Sequence, residues 1–395
     1  MVERSFRLVK TCPQTKARAG ELITPHGLVS TPVFLPVGSQ ATVKTLTPDE
    51  VKSLGYSMLL ANTYHLYLRP GIEVIEKMGG LHQFMGWDGA ILTDSGGYQI
   101  FSLAALRKVN DEGVVFRSHI DGSAHFLTPE LAIQFQEALG ADIIMVLDEC
   151  PPYGTSFAEI QLAVERTHRW AERCLKAKKR RDQTLYAIVQ GGVFSQLREQ
   201  SAAYLTSLDF AGYAIGGLSI GEPKKETWRM VEETVVLLPE DKPRYLMGVG
   251  SPEDLLEGIA RGIDLFDCAL PTRVARNGAF FTPTGRVNIR NAVYRSQEKP
   301  IDSTCSCYTC RHFSAAYLRH LFDCEELLAY RLATIHNLGF ISNLMREARN
   351  AILNGNSSSF KDNFLAHYQP TNEEVRLSQK QKWLKSRAQN SQAQP

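Results

Sequence analysis

Leu265-Phe266-Asp267-Cys268-Ala269-Leu270-Pro271-Thr272-Arg273-Val274-Ala275-Arg276 sets a lone carboxylate after an apolar run, with two arginines just beyond it. A buried acid is costly unless it is paired or used. Guanidinium groups beside it suit a phosphate-bearing substrate whose reacting atom meets Asp267. The plainer reading is a structural ion pair with Arg273 or Arg276. A second acid, Asp94, closes Ala90-Ile91-Leu92-Thr93-Asp94 and precedes Ser95-Gly96-Gly97, where backbone can approach a ligand closely. Two carboxylates flanking an anomeric carbon permit double displacement: one attacks and the other shuttles a proton. Cys268 is the rival nucleophile, but strand alternation turns it away from a cavity that Asp267 faces.

Asp148 and Gln190 offer an acceptor and an amide that match the edge of a purine-like ring. For Asp148 the plainer role is a helix cap or ion pair. Tyr98 and Met247 could sandwich a flat ring, or simply pack in the core. Basic residues gather at Arg273/Arg276 and Arg286/Arg290, which suits a phosphate backbone. Lys176–Arg181 reads as a solvated helix end and Lys380–Arg387 as a soluble tail.

Cys305-x-Cys307-x-x-Cys310 groups three thiols in one loop turn. His336, on the helix-like stretch Glu325–Leu338, is the natural fourth ligand, with Cys324 and His312 competing. Three thiolates and one imidazole close a tetrahedral shell typical of structural zinc, one Zn2+ per subunit. Cys12, Cys150, Cys174 and Cys268 stand alone and read as packing or pocket residues.

The elements that must position these groups alternate. Eight apolar runs are each followed by a helical pattern: Pro32–Val37, Met58–Tyr64, Ala90–Asp94, Ile143–Asp148, Thr184–Gln190, Gly212–Leu218, Arg244–Val249 and Asp264–Leu270. Such runs suit parallel strands buried on both faces. Thr47-Pro48-Asp49-Glu50, Thr128-Pro129-Glu130 and Ser251-Pro252-Glu253-Asp254 are helix starts. Ser156–Lys179, Ser195–Ser207 and Pro223–Leu237 are further helices. Eight repeats predict an α/β fold, a (β/α)8 TIM barrel. A doubly wound open sheet is the runner-up, weakened because no Gly-x-Gly-x-x-Gly follows an early strand. In a barrel, chemistry sits just after the strand ends. Those ends are polar or glycine-rich: Asn62-Thr63-Tyr64-His65, Asp94-Ser95-Gly96-Gly97, Asp148-Glu149-Cys150, Gln190-Gly191-Gly192, Gly216-Gly217-Leu218, Met247-Gly248-Val249-Gly250 and Asp267.

Hairpins are expected at Gly113–Phe126 and within Asn277–Arg290. The predicted organisation is a catalytic barrel over 1–295, a C-terminal zinc-binding subdomain over 296–340, a C-terminal helix over 341–369 packing back on the barrel, and a mobile polar tail over 370–395. The 395 residues are 44% hydrophobic and 22% charged, as in a protein with a sizeable core. A net charge of only +2 means that nucleic-acid contact must rest on local patches. The charged start lacks an apolar leader, no stretch is long enough to span a membrane, and eight cysteines suit a reducing compartment, so a cytoplasmic location is expected.

Taken together, Asp94–Gln99, Gln190–Gly192, Gly216–Glu222, Met247–Gly250, Asp267–Arg273 and the Cys-x-Cys-x-x-Cys…His set resemble tRNA-guanine transglycosylase, from about Phe6 through the helix after the zinc segment. The resemblance implies exchange of the wobble guanine of GUN anticodons (tRNAs for Asp, Asn, His and Tyr) for 7-aminomethyl-7-deazaguanine, in queuosine biosynthesis. It implies Asp267 as the nucleophile forming a covalent ribosyl-aspartate, and Asp94 as general acid/base. Substrate contacts would come from Ser95, Gly96, Gly97, Tyr98, Asp148, Gln190, Gly217, Leu218 and Met247. RNA contacts would come from Gly248, Val249, Gly250, Ser251, Pro252, Glu253 and Asp254, and from Thr272, Arg273, Val274, Ala275 and Arg276. Zinc would be held by Cys305, Cys307, Cys310 and His336, and the assembly would be a homodimer. Ile220 is bulky where queuine-using eukaryotic relatives carry glycine, which favours the smaller aminomethyl base; Ser219 follows the eukaryotic pattern. Competing readings are a queuine-inserting homologue, a non-catalytic RNA-binding paralogue, a zinc hydrolase on a barrel, and a nucleoside hydrolase.

Overall fold

A computed structural model describes residues 5–103, 107–375 and 378. All eight expected strands form. They run Val33–Leu35, Met58–Asn62, Ala90–Asp94, Ile143–Met145, Thr184–Val189, Gly212–Ile215, Arg244–Leu246 and Leu265–Asp267. The first continues past Pro36 as Val37–Gly38. Its first piece pairs in parallel with the eighth strand and its second with the second strand, so the sheet closes on itself. Closure by parallel pairing is a barrel and excludes the open doubly wound sheet.

The helices start where the sequence places them. Thr47 and Ser156 each accept from the backbone N–H three residues on, and Glu50 and Glu159 reach back to complete capping boxes. Thr128 caps the helix Pro129–Leu139 through Leu131 N–H. Ser251 departs from the pattern: its hydroxyl donates to Asp254 Oδ2 at 2.7 Å rather than capping the backbone of Pro252–Ala260.

The Gly113–Phe126 hairpin is part of a three-stranded sheet, Arg107–Val109, Val114–Arg117 and Ala124–Leu127. A second hairpin joins Ala279–Thr282 to Gly285–Asn288. The three-stranded sheet at the start, Phe6–Thr11, Arg18–Thr24 and Gly27–Thr31, was not expected. Its first strand is mostly exposed, so its apolar signal is weak.

The two helical segments expected around the metal region are one 28-residue helix, Leu327–Asn354. The expected break at 340/341 falls inside it. Gly339 lies where an added Cβ would be 3.4 Å from Cys307 Cβ, so the helix passes close to the cysteine loop. Asn337 donates to Pro271 O at 3.1 Å and Ala279 O at 2.9 Å, and accepts from Phe281 N–H at 3.0 Å. Farther along, Arg349 donates to Gly20 O at 2.8 Å and to Thr31 O. Just before the expected tail Gln369 bridges to Gly285, and within the tail Glu373 accepts from Lys224 N–H at 2.7 Å. The remainder from 379, Lys380–Arg387 included, lies outside the described residues.

Candidate active site

Asp94 ends the third strand and is buried. Its Oδ1 accepts from Thr63 N–H at 2.9 Å, and its Oδ2 from the Asn62 side chain. Asn62 ends the neighbouring second strand and Thr63 directly follows it. Burial pushes the carboxyl up to about 7; the bonds from Asn62 and Thr63 oppose that, and the charge of Asp267 adds to it. Asp94 therefore stands near even protonation at neutral pH, which suits a group that both gives and takes a proton.

Asp267 ends the eighth strand and is partly buried. Tyr245 O–H donates to its Oδ1 at 2.6 Å and Gly248 N–H donates to the same atom at 2.9 Å. Among the described residues Oδ2 has no hydrogen-bond partner. One oxygen is tethered and the other is open, an arrangement suited to attack. Burial raises this carboxyl, against the bonds from Tyr245 and Gly248. Burial raises the Tyr245 hydroxyl, and the charges of Asp267 and Asp94 add to it, so the three groups lie close together. The expected ion pair of Asp267 with Arg273 or Arg276 does not occur among the described residues. Arg273 is exposed instead, and Arg276 donates to Thr272 O at 2.9 Å. Cys268 has its thiol pushed up to about 11 by burial and the Asp267 charge, a poor state for a nucleophile.

Beside the acids, Gln190 Nε2 donates to Asp148 Oδ2 at 2.7 Å, and both residues are buried. Burial lifts Asp148 to about 6, opposed by Gln190. The turn after Gln190 is held by buried Arg198, whose guanidinium donates to Val189 O at 3.0 Å and to Gly192 O at 3.0 and 2.9 Å. Gly217 has φ +67, and a Cβ there would lie 2.3 Å from Gln190 Oε1. Gly97 needs similar room: its Cβ would lie 2.8 Å from Asp148 O. Ser95 and Gly96 are buried in the same turn. Glu222 organises the next loop, accepting from Ile220 and Gly221 N–H at 3.1 Å, from Ser219 N–H, and from Thr227 O–H at 2.6 Å. Leu218 is buried, Met247 half-buried and Tyr98 exposed.

In the two expected RNA segments, Gly248 and Arg273 are exposed, with Ser251, Asp254 and Arg276 partly so. Val249, Gly250, Pro252, Glu253, Thr272, Val274 and Ala275 are buried. Lys224 binds Glu253 and Asp254 at 2.9 and 2.8 Å. Asn62, Thr63, Tyr245, Arg198 and Glu222 had no assigned role in the sequence reading. Asn62 and Thr63 could have been found from their strand-end position alone; Tyr245 is a polar group inside an apolar strand, which is a weaker signal.

The ligand atoms of Cys305, Cys307, Cys310 and His336 all lie within 4.8 Å of one another. His336 Nε2 meets Phe281 O at 2.6 Å, which makes Nε2 the N–H and leaves the Nδ1 lone pair facing the thiols. Cys310 and Cys307 Sγ lie 3.3 and 3.7 Å from that Nδ1. The set can hold one metal ion. Cys324 pairs with His320 instead, and His312 packs on Tyr308, so neither rival ligand joins the cluster.

A closed parallel barrel with two acids at its strand ends, a carboxylate–amide pair beside them and a separate Cys3His cluster able to hold a metal ion defines an enzyme of the barrel class. The queuine tRNA-ribosyltransferase family model matches residues 12–370. A queuine tRNA-ribosyltransferase of Dehalococcoides mccartyi is 64% identical over 387 residues, 98% of this chain and 99% of its own. Those of Herpetosiphon aurantiacus and Caldanaerobacter subterraneus are 59% identical over 361 residues and 55% over 375; the matches cover 91% and 95% of this chain and 92% and 100% of theirs. The chain belongs to the queuine tRNA-ribosyltransferase family, the tRNA-guanine transglycosylases, which are pentosyltransferases.

Proposed function

We propose that the protein exchanges the wobble guanine of GUN-anticodon tRNAs for 7-aminomethyl-7-deazaguanine by double displacement. The observation that carries this is the contrast between the acids: Asp267 keeps one open oxygen, and Asp94 sits near even protonation at pH 7. Asp267 Oδ2 attacks C1′ of the nucleotide as the C1′–N9 bond breaks. Protonated Asp94 gives its proton to the departing guanine. The incoming base then loses its N9 proton to Asp94 as N9 bonds to C1′ and the Asp267 ester opens. The proton returns to Asp94, so the cycle balances. Asp148, Gln190 and the Gly217 backbone read the base edge, Leu218 lies by the aminomethyl arm, and Tyr98 and Met247 stack on the ring. Gly248–Asp254 and Thr272–Arg276 form the RNA side, where Arg273 offers an exposed cation.

The metal of the Cys3His cluster is structural Zn2+: four protein donors leave no open position for chemistry. The working unit is a cytoplasmic homodimer. Ile220 supports the aminomethyl base over queuine.

Incubation with guanine-labelled tRNA and the aminomethyl base tests the reading. Label release and a denaturant-stable protein–RNA band are expected, both lost in Asp267→Asn while tRNA binding persists. Turnover with no band in wild type would sink the covalent route. Faster incorporation of queuine in competition would overturn the base assignment.

A further inference from the structure

At the end of the barrel opposite the acids, a second cluster of ligating side chains stands apart from the chemistry above. Asp142 directly precedes the fourth strand, and His82 lies on the helix Leu81–Met85 that leads into the third. His26 sits at the tip of the hairpin between Arg18–Thr24 and Gly27–Thr31. Their ligand atoms all lie within 4.8 Å of one another. We propose that His26, His82 and Asp142 form a binding site for a divalent transition-metal ion, distinct from the Cys3His cluster.

The carboxylate is built to be shared. Its Oδ1 is 2.8 Å from His26 Nδ1 and its Oδ2 is 3.3 Å from His82 Nε2. Two backbone groups fix its orientation: Ile91 N–H donates to Oδ2 at 2.8 Å and His26 N–H to Oδ1 at 3.3 Å. Metal–ligand bonds of about 2.0–2.1 Å place adjacent donors roughly 3 Å apart, which matches the spacing of Asp142 to each histidine. His82 Nε2 also lies 3.1 Å from the acceptor Gly89 O, so it carries the N–H in the metal-free site; binding an ion there releases that proton and replaces the contact to Gly89. The Asp142 side chain is fully buried, that of His82 is 13% exposed and that of His26 36%. The set therefore grades from an enclosed anchor to an accessible arm. The two imidazoles stack at 3.5 Å with planes 13° apart. Closing on an ion requires the rings to fan, and His26, on a hairpin tip, is the ring with room to turn.

A cavity of about 370 Å3 opens over the two histidines. It supplies an entry path and space for water in the remaining coordination positions. Asp49, Asp88 and Gln83 also line it, while the Lys52 ammonium on the same rim is paired with Asp88. Two imidazoles and one carboxylate favour Zn2+, Ni2+, Co2+ or Cu2+ over Mg2+ or Ca2+, which prefer all-oxygen shells. An ion here ties the hairpin of the N-terminal sheet to the foot of the barrel. Because it binds the folded state alone, it raises the melting temperature, and the rise continues with the logarithm of free ion once the site is full.

The test titrates the full-length protein, its Cys-cluster metal in place, with Ni2+. Bound nickel per chain and melting temperature are the readouts. One equivalent beyond the cluster metal is expected, with a rise in Tm, and both are lost in His26→Ala and in His82→Ala. Cys324→Ser controls for the exposed Cys324–His320 pair. No extra equivalent in wild type overturns the proposal, as does an equivalent that survives both histidine substitutions or disappears in Cys324→Ser alone. His26→Ala, at an exposed turn, decides the matter if His82→Ala fails to fold.

Discussion

Replacing Asp94 by Asn separates the energetic burden of this acid from its use. Burial lifts the carboxyl from 3.8 to about 7. The folded value lies above the unfolded one, so folding favours the protonated form. The stability tied to that preference is complete below about pH 4 and is lost as pH rises through 7. With each pH unit of displacement worth about 1.36 kcal/mol, the group destabilises the fold by roughly 2 kcal/mol at pH 5 and roughly 4 kcal/mol at pH 8. Asn has no charge to desolvate. Its carbonyl still accepts from Thr63 N–H, and its amide donates to Asn62 once that side chain flips. Relative to wild type, Asp94→Asn should therefore gain roughly 2–3 kcal/mol between pH 5 and pH 8. Urea unfolding at the two pH values reads this directly. Base exchange measured on the same samples should fall about 100-fold or more, as for loss of a general acid. Stability and activity then move in opposite directions, as at a site kept strained for function. A stability difference that is the same at both pH values would refute the reasoning, because the carboxyl would then not be desolvated in the fold.

Tyr245→Phe removes one of the two donors to Asp267, a charge-assisted bond worth about 1.5–3 kcal/mol. Losing a group that lowers this carboxyl moves it further up, so kcat/KM should drop about tenfold or more at pH 6 and less at pH 9; a pH–rate profile checks the asymmetry. Gly217→Ala puts a methyl into Gln190 Oε1 and a side chain at positive φ, costing about 1–2 kcal/mol of backbone strain. The KM for the incoming base should rise about tenfold or more, with kcat less affected, in steady-state exchange assays. Chelation of the Cys3His metal should melt the segment from Cys305 to His336 and weaken tRNA binding, seen as new hydrogen exchange there and a lower Tm while barrel amides stay protected.

The barrel was readable because its strands are buried on both faces. Met58–Asn62 and Gly212–Ile215 show no exposed residue, so uninterrupted apolar runs marked them. Asp94, Asp148, Gln190 and Asp267 were readable by their place just after such runs. The donors that tune them were not. Tyr245 lies within a strand, where an aromatic reads as core until its hydroxyl is seen against Asp267. Arg198 resembles any helix-face arginine, although its guanidinium is fully buried against the Gln190–Gly192 turn. The Phe6–Thr11 strand alternates too weakly to be separated from a charged leader, since only Phe6 is buried. The long helix was divided at Gly339, which reads as a break but lies inside the helix, in packing contact with Cys307 and Leu54.

The helix Leu327–Asn354 has a fixed-length consequence. At about 1.5 Å per residue it is a rod of roughly 42 Å. His336, about a third of the way along, faces the cysteines, Asn337 grips the segment that follows Asp267, and Arg349 a few turns on reaches Gly20 and Thr31 at the far sheet. Inserting a single residue between 337 and 349 would swing every later side chain by about 100°. The rod thus works as a spacing gauge: its length and phase are shared by three distant attachments, and a length change in this stretch would put them out of step.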